Sequence, residues 1–428
     1  MTLAAEAPAT APVTTPDGRP LKAALKAALR RQKLRALLLI APLLTFVVLG
    51  FLMPIGSMLF RSVENSIVES SLPRTLAALR AEGWTARATD LPSEAVFAAL
   101  VADLQDRYAD RTALNFARRM NFENAGFTTM IRRGQRDIPS WNLETDGPFQ
   151  PRLAEVHRGF TELSTWRTLE AYSSRYTIGY YLAAVDMTMA NGTIEPVPED
   201  MRIHLMLFWR TIWMSAVICL LTLLLGYPIA YLLSHLRERT ANLLMIFVLL
   251  PFWTSLLVRT SAWKVLLQEQ GVVNQVLVWI GLVADDARLQ MINNKLGVVI
   301  AMTHVLLPFM ILPLYSVMKT IPPAYVRAAK SLGANDWTAF WRVYFPQSVP
   351  GIGAGAILVF ILAVGYYITP ELVGGPSGMF ISNRIAHQWS VSGNWGLVGA
   401  LGALMLMGVL VLFWLYDRIV GVDNVKLG

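Results

Sequence analysis

The chain has 428 residues, of which 54% are hydrophobic and only 15% charged, against about 25% charged in a typical soluble domain. A soluble protein of that composition would expose large apolar patches and aggregate, so the composition excludes a soluble globular protein. The formal charge of +8 does not mark a nucleic-acid binder, because no basic-aromatic module accompanies it; it fits the basic loops on the cytoplasmic side of a membrane protein.

Residues 1–20 are rich in Ala, Pro and Thr and read as a disordered tail. In the next stretch Lys22, Lys26, Arg30 and Lys33 recur on one helical face, opposite Leu21, Ala24, Leu25, Ala28 and Leu29. This pattern predicts an amphipathic helix on an anionic membrane surface, giving a cytoplasmic tail and helix over 1–35. The apolar run 36–60 is too long for a signal-peptide core and has no small-x-small cleavage site, so it reads as an uncleaved first span.

Over residues 61–205 charge returns, helical periodicity appears in LPSEAVFAALVADLQDRYADR, and turn-rich stretches such as NLETDGPFQP intervene. About 140 residues suffice for an independent core, and with the N-terminus inside this insertion is expected outside. The run 206–420 follows, with spans expected at 206–234, 243–264, 295–319, 350–370 and 396–417, and a cytoplasmic tail at 421–428. SHLRERTAN and the loop carrying Lys319, Arg327, Lys330 and Arg342 then fall inside, while Asp285 and Asp286 fall outside, as the positive-inside rule requires. The single cysteine, Cys219, lies inside an apolar run and has no disulfide partner.

The loop PPAYVRAAKSLGANDWTAFWRVYFPQSVPGI, within the cytoplasmic segment 320–350 and its exit, carries the most information. Pro322 and Pro323 suit a helix start. Tyr325, Ala328, Ala329 and Leu332 form one apolar face floored by small residues, Gly333 interrupts the helix, and Asn335 caps a second one. There Trp337, Phe340, Trp341 and Tyr344 form an aromatic face, expected to pack on the chain's own membrane helices, with Pro346 and Pro350 expected to stop the helix. A helix–Gly–helix corner with an alanine floor suits docking against another protein, since small side chains let backbones approach closely.

This stretch resembles the EAA loop of binding-protein-dependent ABC importer permeases. Ala328, Ala329, Gly333 and Ala334 match its pattern, as do Phe345-Pro346 and Pro350-Gly351; Arg327 stands where the family has Glu. RTIWMSAVICLLTLLLGYPIAYLLS, LLPFWTSLLVRTSAW and VGYYITPELVGG are similar to segments of spermidine/putrescine-type permeases. The resemblance implies an all-α membrane protein of six transmembrane helices, in the type I ABC importer permease fold, with a large extracytoplasmic insertion after the first span. It implies residence in the bacterial inner membrane with both termini cytoplasmic, beside a second permease subunit, two copies of an ABC ATPase and a periplasmic solute-binding protein. The ATPases would dock on Tyr325, Arg327, Ala328, Ala329, Ser331, Leu332, Gly333 and Ala334. The chain has no Gly-Lys dipeptide and so no P-loop; no cofactor is expected on it, and ATP and Mg would sit in the ATPases. The implied solute is a small cation, a polyamine in the first instance, with opines, phosphonates, thiamine or iron as alternatives.

If the pathway touches solute, Trp253, Thr254, Tyr366, Tyr367 and Glu371 can line it, the aromatics by cation–π contact and Glu371 by attraction at the mouth. A secondary transporter would place ionisable residues in its spans, and only His304, Arg259 and Glu371 come near. An enzyme in the insertion has little material: His157 is its only histidine, and Asp186, Glu195 and Glu199 read as turn and surface carboxylates. A receptor would need an output module, and the tail after Asp417 is expected to be too short for one.

Overall fold

The computed structural model describes residues 21–420. The tails expected at 1–20 and 421–428 lie outside the described residues. The chain divides into two compact units, up to Phe60 and from Arg61 onward.

Among the described residues the first unit is one long helical run. It starts at Leu21, runs as Leu21–Val47, passes through a π-turn at Val48–Leu52 and continues as Met53–Arg61. Pro54 supplies no N–H to the carbonyl four residues back, and the π-turn absorbs the misfit just ahead of it, with the Met53 N–H donating to the Val48 carbonyl. A helix lying flat on the membrane at 21–35 would need a corner before the span. No glycine or proline lies between Leu21 and Ala41, and the helix Leu21–Val47 continues without a break.

In the second unit, residues 61–203 form a lobe of short helices around a core of their own. Phe97, Phe116, Trp166 and Tyr172 are its largest buried members. Phe97 meets Trp166 edge-on at 4.9 Å, and the buried indole N–H donates to the Phe160 carbonyl at 2.9 Å. Asp103, 1% exposed, accepts from the Thr75 N–H (2.8 Å) and hydroxyl (2.7 Å), which caps the helix Pro73–Glu82 from a distance. The lobe closes on itself: the Asn65 N–H donates to the Arg175 carbonyl at 2.7 Å and the Thr177 N–H to the Val63 carbonyl at 2.8 Å, an antiparallel bridge centred on Glu64 and Tyr176. A two-stranded hairpin, Met187–Thr188 with Glu195–Pro196, follows.

The membrane core is built on three helices, His204–His235, Lys295–Thr320 and Phe345–Gly365, whose Met214, Ile218, Met302, Leu306, Met310 and Val359 are buried together. Gly351 and Gly355 let Phe345–Gly365 lie close against Lys295–Thr320. A methyl on Gly351 would come 3.3 Å from the Pro313 carbonyl oxygen, and one on Gly355 would come 3.2 Å from that of Met310. This is the small-xxx-small packing of membrane helices, where dispersion rather than hydrophobic burial drives contact. Cys219 is half-buried here, its Sγ 3.5 Å from the Ala356 carbonyl. A third cluster, with Tyr180, Ala184, Leu207, Ile381, Leu397 and Leu401, joins the base of the lobe to the helix Trp395–Val420.

Among the described residues, five helices are long and apolar enough to cross a membrane, or six with one bent pair. The spans expected at 206–234, 295–319 and 396–417 match. The one expected at 243–264 is broken: Glu238–Trp253 and Leu256–Leu266 diverge by 95° across residues 254–255. Pro251 sits in a 3-10 turn, the Ser255 hydroxyl accepts from the Val258 N–H to start a new helix, and the Arg259 guanidinium donates to the carbonyls of Pro251 and Thr254. The span expected at 350–370 instead begins as early as Asp336 and ends at Gly365. Pro346 and Pro350 do not stop it. A π-turn at Phe340–Tyr344, with the Phe345 N–H donating to the Phe340 carbonyl, takes up the proline misfit, and the Gln347 amide donates to the Val343 carbonyl at 2.6 Å.

Candidate functional site

The loop after Lys295–Thr320 folds into a tight corner. Pro322 occupies the N-cap position and Pro323 opens the helix Pro323–Ser331. At its far end the Ala334 N–H donates to the Ala329 carbonyl (3.1 Å) and the Gly333 N–H to that of Lys330 (3.0 Å). These two bonds are the Schellman pattern, which needs a left-handed residue, and Gly333 supplies it with φ +92°. The Asn335 carboxamide then accepts from the Thr338 N–H at 2.8 Å, starting the helix Asp336–Ala339, and Lys330 pairs with Asp336 across the bend. Backbone bonds, a cap and an ion pair thus fix the corner.

Its outer side is apolar and open. Leu332 is 89% exposed and Tyr325 53%, with Ala328, Ser331, Gly333 and Arg327 exposed beside them, while Ala329 and Ala334 are half-buried. A leucine left almost wholly in water forgoes about 1.5–3 kcal/mol of burial, and this one is held there by the Schellman turn. Arg327 makes no ion pair among the described residues and lines a cavity of about 760 Å³ behind the helix with Lys319, Lys330 and Asp336.

The aromatic face expected to pack inward divides. Phe340 and Tyr344 do pack inward, against Tyr231 at 5.8 and 5.1 Å. Trp337 (72% exposed) and Trp341 (44%) turn outward and meet edge-on at 5.5 Å. The five aromatics from Trp337 to Phe345 outnumber the inward positions of one helix turn, so periodicity alone could not assign them.

The residues expected along a solute pathway are not gathered into one site. Trp253, 83% exposed, and Thr254 lie at the bend, where the Thr254 carbonyl accepts from Arg259 at 3.0 Å. Tyr366 is packed against the membrane core. Tyr367 and Glu371 line a cavity of about 520 Å³ together with Arg210 and Arg384, and the Glu371 carboxylate accepts from the Asn383 amide at 2.7 Å. A hydroxyl–hydroxyl bond between Thr260 and Thr369 (3.2 Å) sets the two segments side by side, yet neither Trp253 nor Thr254 reaches the cavity beside Glu371. Two guanidiniums against one carboxylate make that cavity a poor seat for a cation.

Asp186, expected as a surface carboxylate, is 4% exposed. It accepts from the backbone N–H groups of Ile203, His204 and Leu205, at the start of His204–His235.

The sequence profile of the family described as "Binding-protein-dependent transport system inner membrane component" matches residues 222–421, a stretch that begins after the lobe and includes the bend, the corner and the last long helix. The spermidine/putrescine transport system permease protein PotB of Haemophilus influenzae is 36% identical over 205 residues, 47% of this chain and 71% of that protein. PotB of Escherichia coli K12 is 32% identical over 237 residues, 54% of this chain and 83% of that protein. The inner membrane ABC transporter permease protein YdcU of the same strain is 32% identical over 239 residues, 53% of this chain and 74% of that protein. With its apolar helices, its rigid exposed corner and these relatives, the chain belongs to the binding-protein-dependent transport system inner membrane components, as a multi-pass ABC importer permease.

Proposed function

We propose that the chain forms the translocation pathway for a small cationic solute, a polyamine such as spermidine or putrescine, and that ATPase subunits dock on the corner at 322–334. The observation that carries the docking reading is the exposed Leu332 on a turn fixed from both sides. The polyamine reading is supported by the names of the PotB relatives. ATP and Mg belong to two copies of the ATPase, a second permease subunit stands beside this one, and a periplasmic binding protein delivers the solute to the side that bears the lobe. The basic residues Arg237, Arg239, Lys319, Arg327 and Arg342 support placing the corner and both termini in the cytoplasm.

Leu332→Asp and Ala328→Trp test the docking, because both positions are exposed and neither change disturbs the chain's own packing. Losing the burial of one leucine costs about 2 kcal/mol, or about 30-fold in affinity. The expected result is a permease that still reaches the membrane in normal amount while co-purification of the ATPase and solute-stimulated hydrolysis fall by that order. Unchanged coupling in both variants overturns the docking reading. Calorimetry on the cognate binding protein tests the solute: tight binding of an anion with no response to spermidine or putrescine overturns the polyamine reading and leaves the docking reading intact.

A further inference from the structure

Where the lobe meets the loop preceding Trp395–Val420, a cleft of about 480 Å³ is lined by Arg61, Arg107, Arg118 and Arg119 against a single carboxylate, Glu64. Arg119 is 4% exposed. Its Nε donates to the Asn65 carboxamide at 2.8 Å, its Nη1 to Glu123 at 2.6 Å, and its guanidinium lies 4.5 Å from the Tyr180 ring and 5.2 Å from that of Tyr172. The Arg107 Nη1 pairs with Asp110 at 3.0 Å, and the Arg119 Nη2 and Arg107 Nε are enclosed beneath the cleft floor. Arg61 and Arg118 make no ion pair among the described residues. The Glu64 carboxylate is engaged by the Ser66 hydroxyl.

The depth of the cleft identifies its ligand. Trp395 is the first residue of a helix able to cross a membrane, and the Arg61 guanidinium lies over its ring at 5.6 Å. The cleft therefore lies where that span leaves the hydrocarbon, the level of lipid phosphates and of interfacial tryptophans. Guanidinium forks match phosphate oxygens two at a time. Ile67 and Phe122, 42% and 40% exposed, add apolar surface to the same lining, which a lipid's glycerol and acyl portions can cover. We propose that this cleft binds the head-group phosphate of an anionic phospholipid and thereby ties the lobe to the membrane surface.

The test uses the full chain purified in a neutral detergent and supplied with phosphatidylglycerol, with phosphatidylcholine or with inorganic phosphate. The variant Arg61→Gln/Arg118→Gln alters the two exposed cleft arginines and leaves the buried Arg119–Glu123 pair intact; unchanged elution in size exclusion verifies its fold. Native mass spectrometry is expected to find phosphatidylglycerol retained by the parent chain over phosphatidylcholine, with retention falling at least tenfold in the variant. Equal retention by parent and variant overturns the proposal. So does a thermal shift produced by inorganic phosphate and not by phosphatidylglycerol, which would mark a free-phosphate site. A variant that keeps its lipid but loses capture of the cognate binding protein also overturns it, by assigning the arginines to an acidic protein surface.

Discussion

A helix that starts next to an apolar core leaves its first N–H groups in need of partners, and at His204–His235 one distant side chain supplies them. Asp186 accepts from Ile203 (3.2 Å), His204 (3.0 Å) and Leu205 (2.9 Å), and its carboxylate also meets the His204 Nδ1 at 3.0 Å. Negative charge at a helix N-terminus is favourable, and a charged partner makes each bond worth about 1.5–3 kcal/mol. Asp186→Ala is therefore expected to cost about 3 kcal/mol, read as a clear fall in the temperature at which the detergent-solubilised chain leaves its monodisperse peak. Asp186→Asn should fall by less, since asparagine tolerates the left-handed backbone at this position (φ +57°) and keeps an acceptor. The turn at Asp186 was legible in its sequence surroundings. Its burial was not, because the partners lie 17 to 19 residues further on and no short-range pattern joins them.

Between elements, apolar content located the spans but missed their breaks. Both arms of the bent pair Glu238–Trp253 and Leu256–Leu266 are apolar enough to read as one crossing, and the break rests on Pro251, the Ser255 cap and Arg259, signals that a hydropathy window averages away. Conversely, Pro346 and Pro350 look like stops and are carried through by the π-turn at Phe340–Tyr344. The spacing of Gly351 and Gly355 was legible as a motif only once the partner helix was known. Since a methyl on Gly355 already meets the Met310 backbone at 3.2 Å and its Sδ at 2.7 Å, Gly355→Leu must push the two helices apart. Overpacking of this kind costs about 1–3 kcal/mol; the expected outcome is reduced recovery of monodisperse protein after mild heating, with Ala356→Leu, one position round the helix and half-buried, less affected.

For the molecule as a whole, the membrane class and the helix–glycine–helix corner followed from composition and spacing, whereas the seat of the lobe did not. The lobe makes two kinds of attachment. Its base is fused to the membrane core through Tyr180, Ala184, Leu207 and Leu397, so cutting out all of 61–203 would strip apolar surface from the last helix. The larger part, from 66 to 174, enters and leaves through the paired strands at Glu64 and Tyr176. Joining Asn65 to Arg175 by an Asn-Gly turn preserves that pairing, since such turns suit antiparallel ends. The shortened chain is expected to reach the membrane and remain monodisperse, and its loss of solute uptake would then report on the lobe alone. Aggregation of this version, with the same turn tolerated elsewhere, would show that the lobe's own core supports the spans.

The half-buried position of Cys219, pressed between two membrane helices near Ala356, has a consequence for reagents. The chain has no other thiol, and the lobe at 61–203 contains no lysine, its cations all being arginine. Amine-directed cross-linkers will therefore pass over the lobe, and a cysteine placed on its exposed surface becomes the one readily labelled thiol of the protein. Spectroscopic tags can be set on the lobe one site at a time in the parent sequence, with no cysteine-free background to build first.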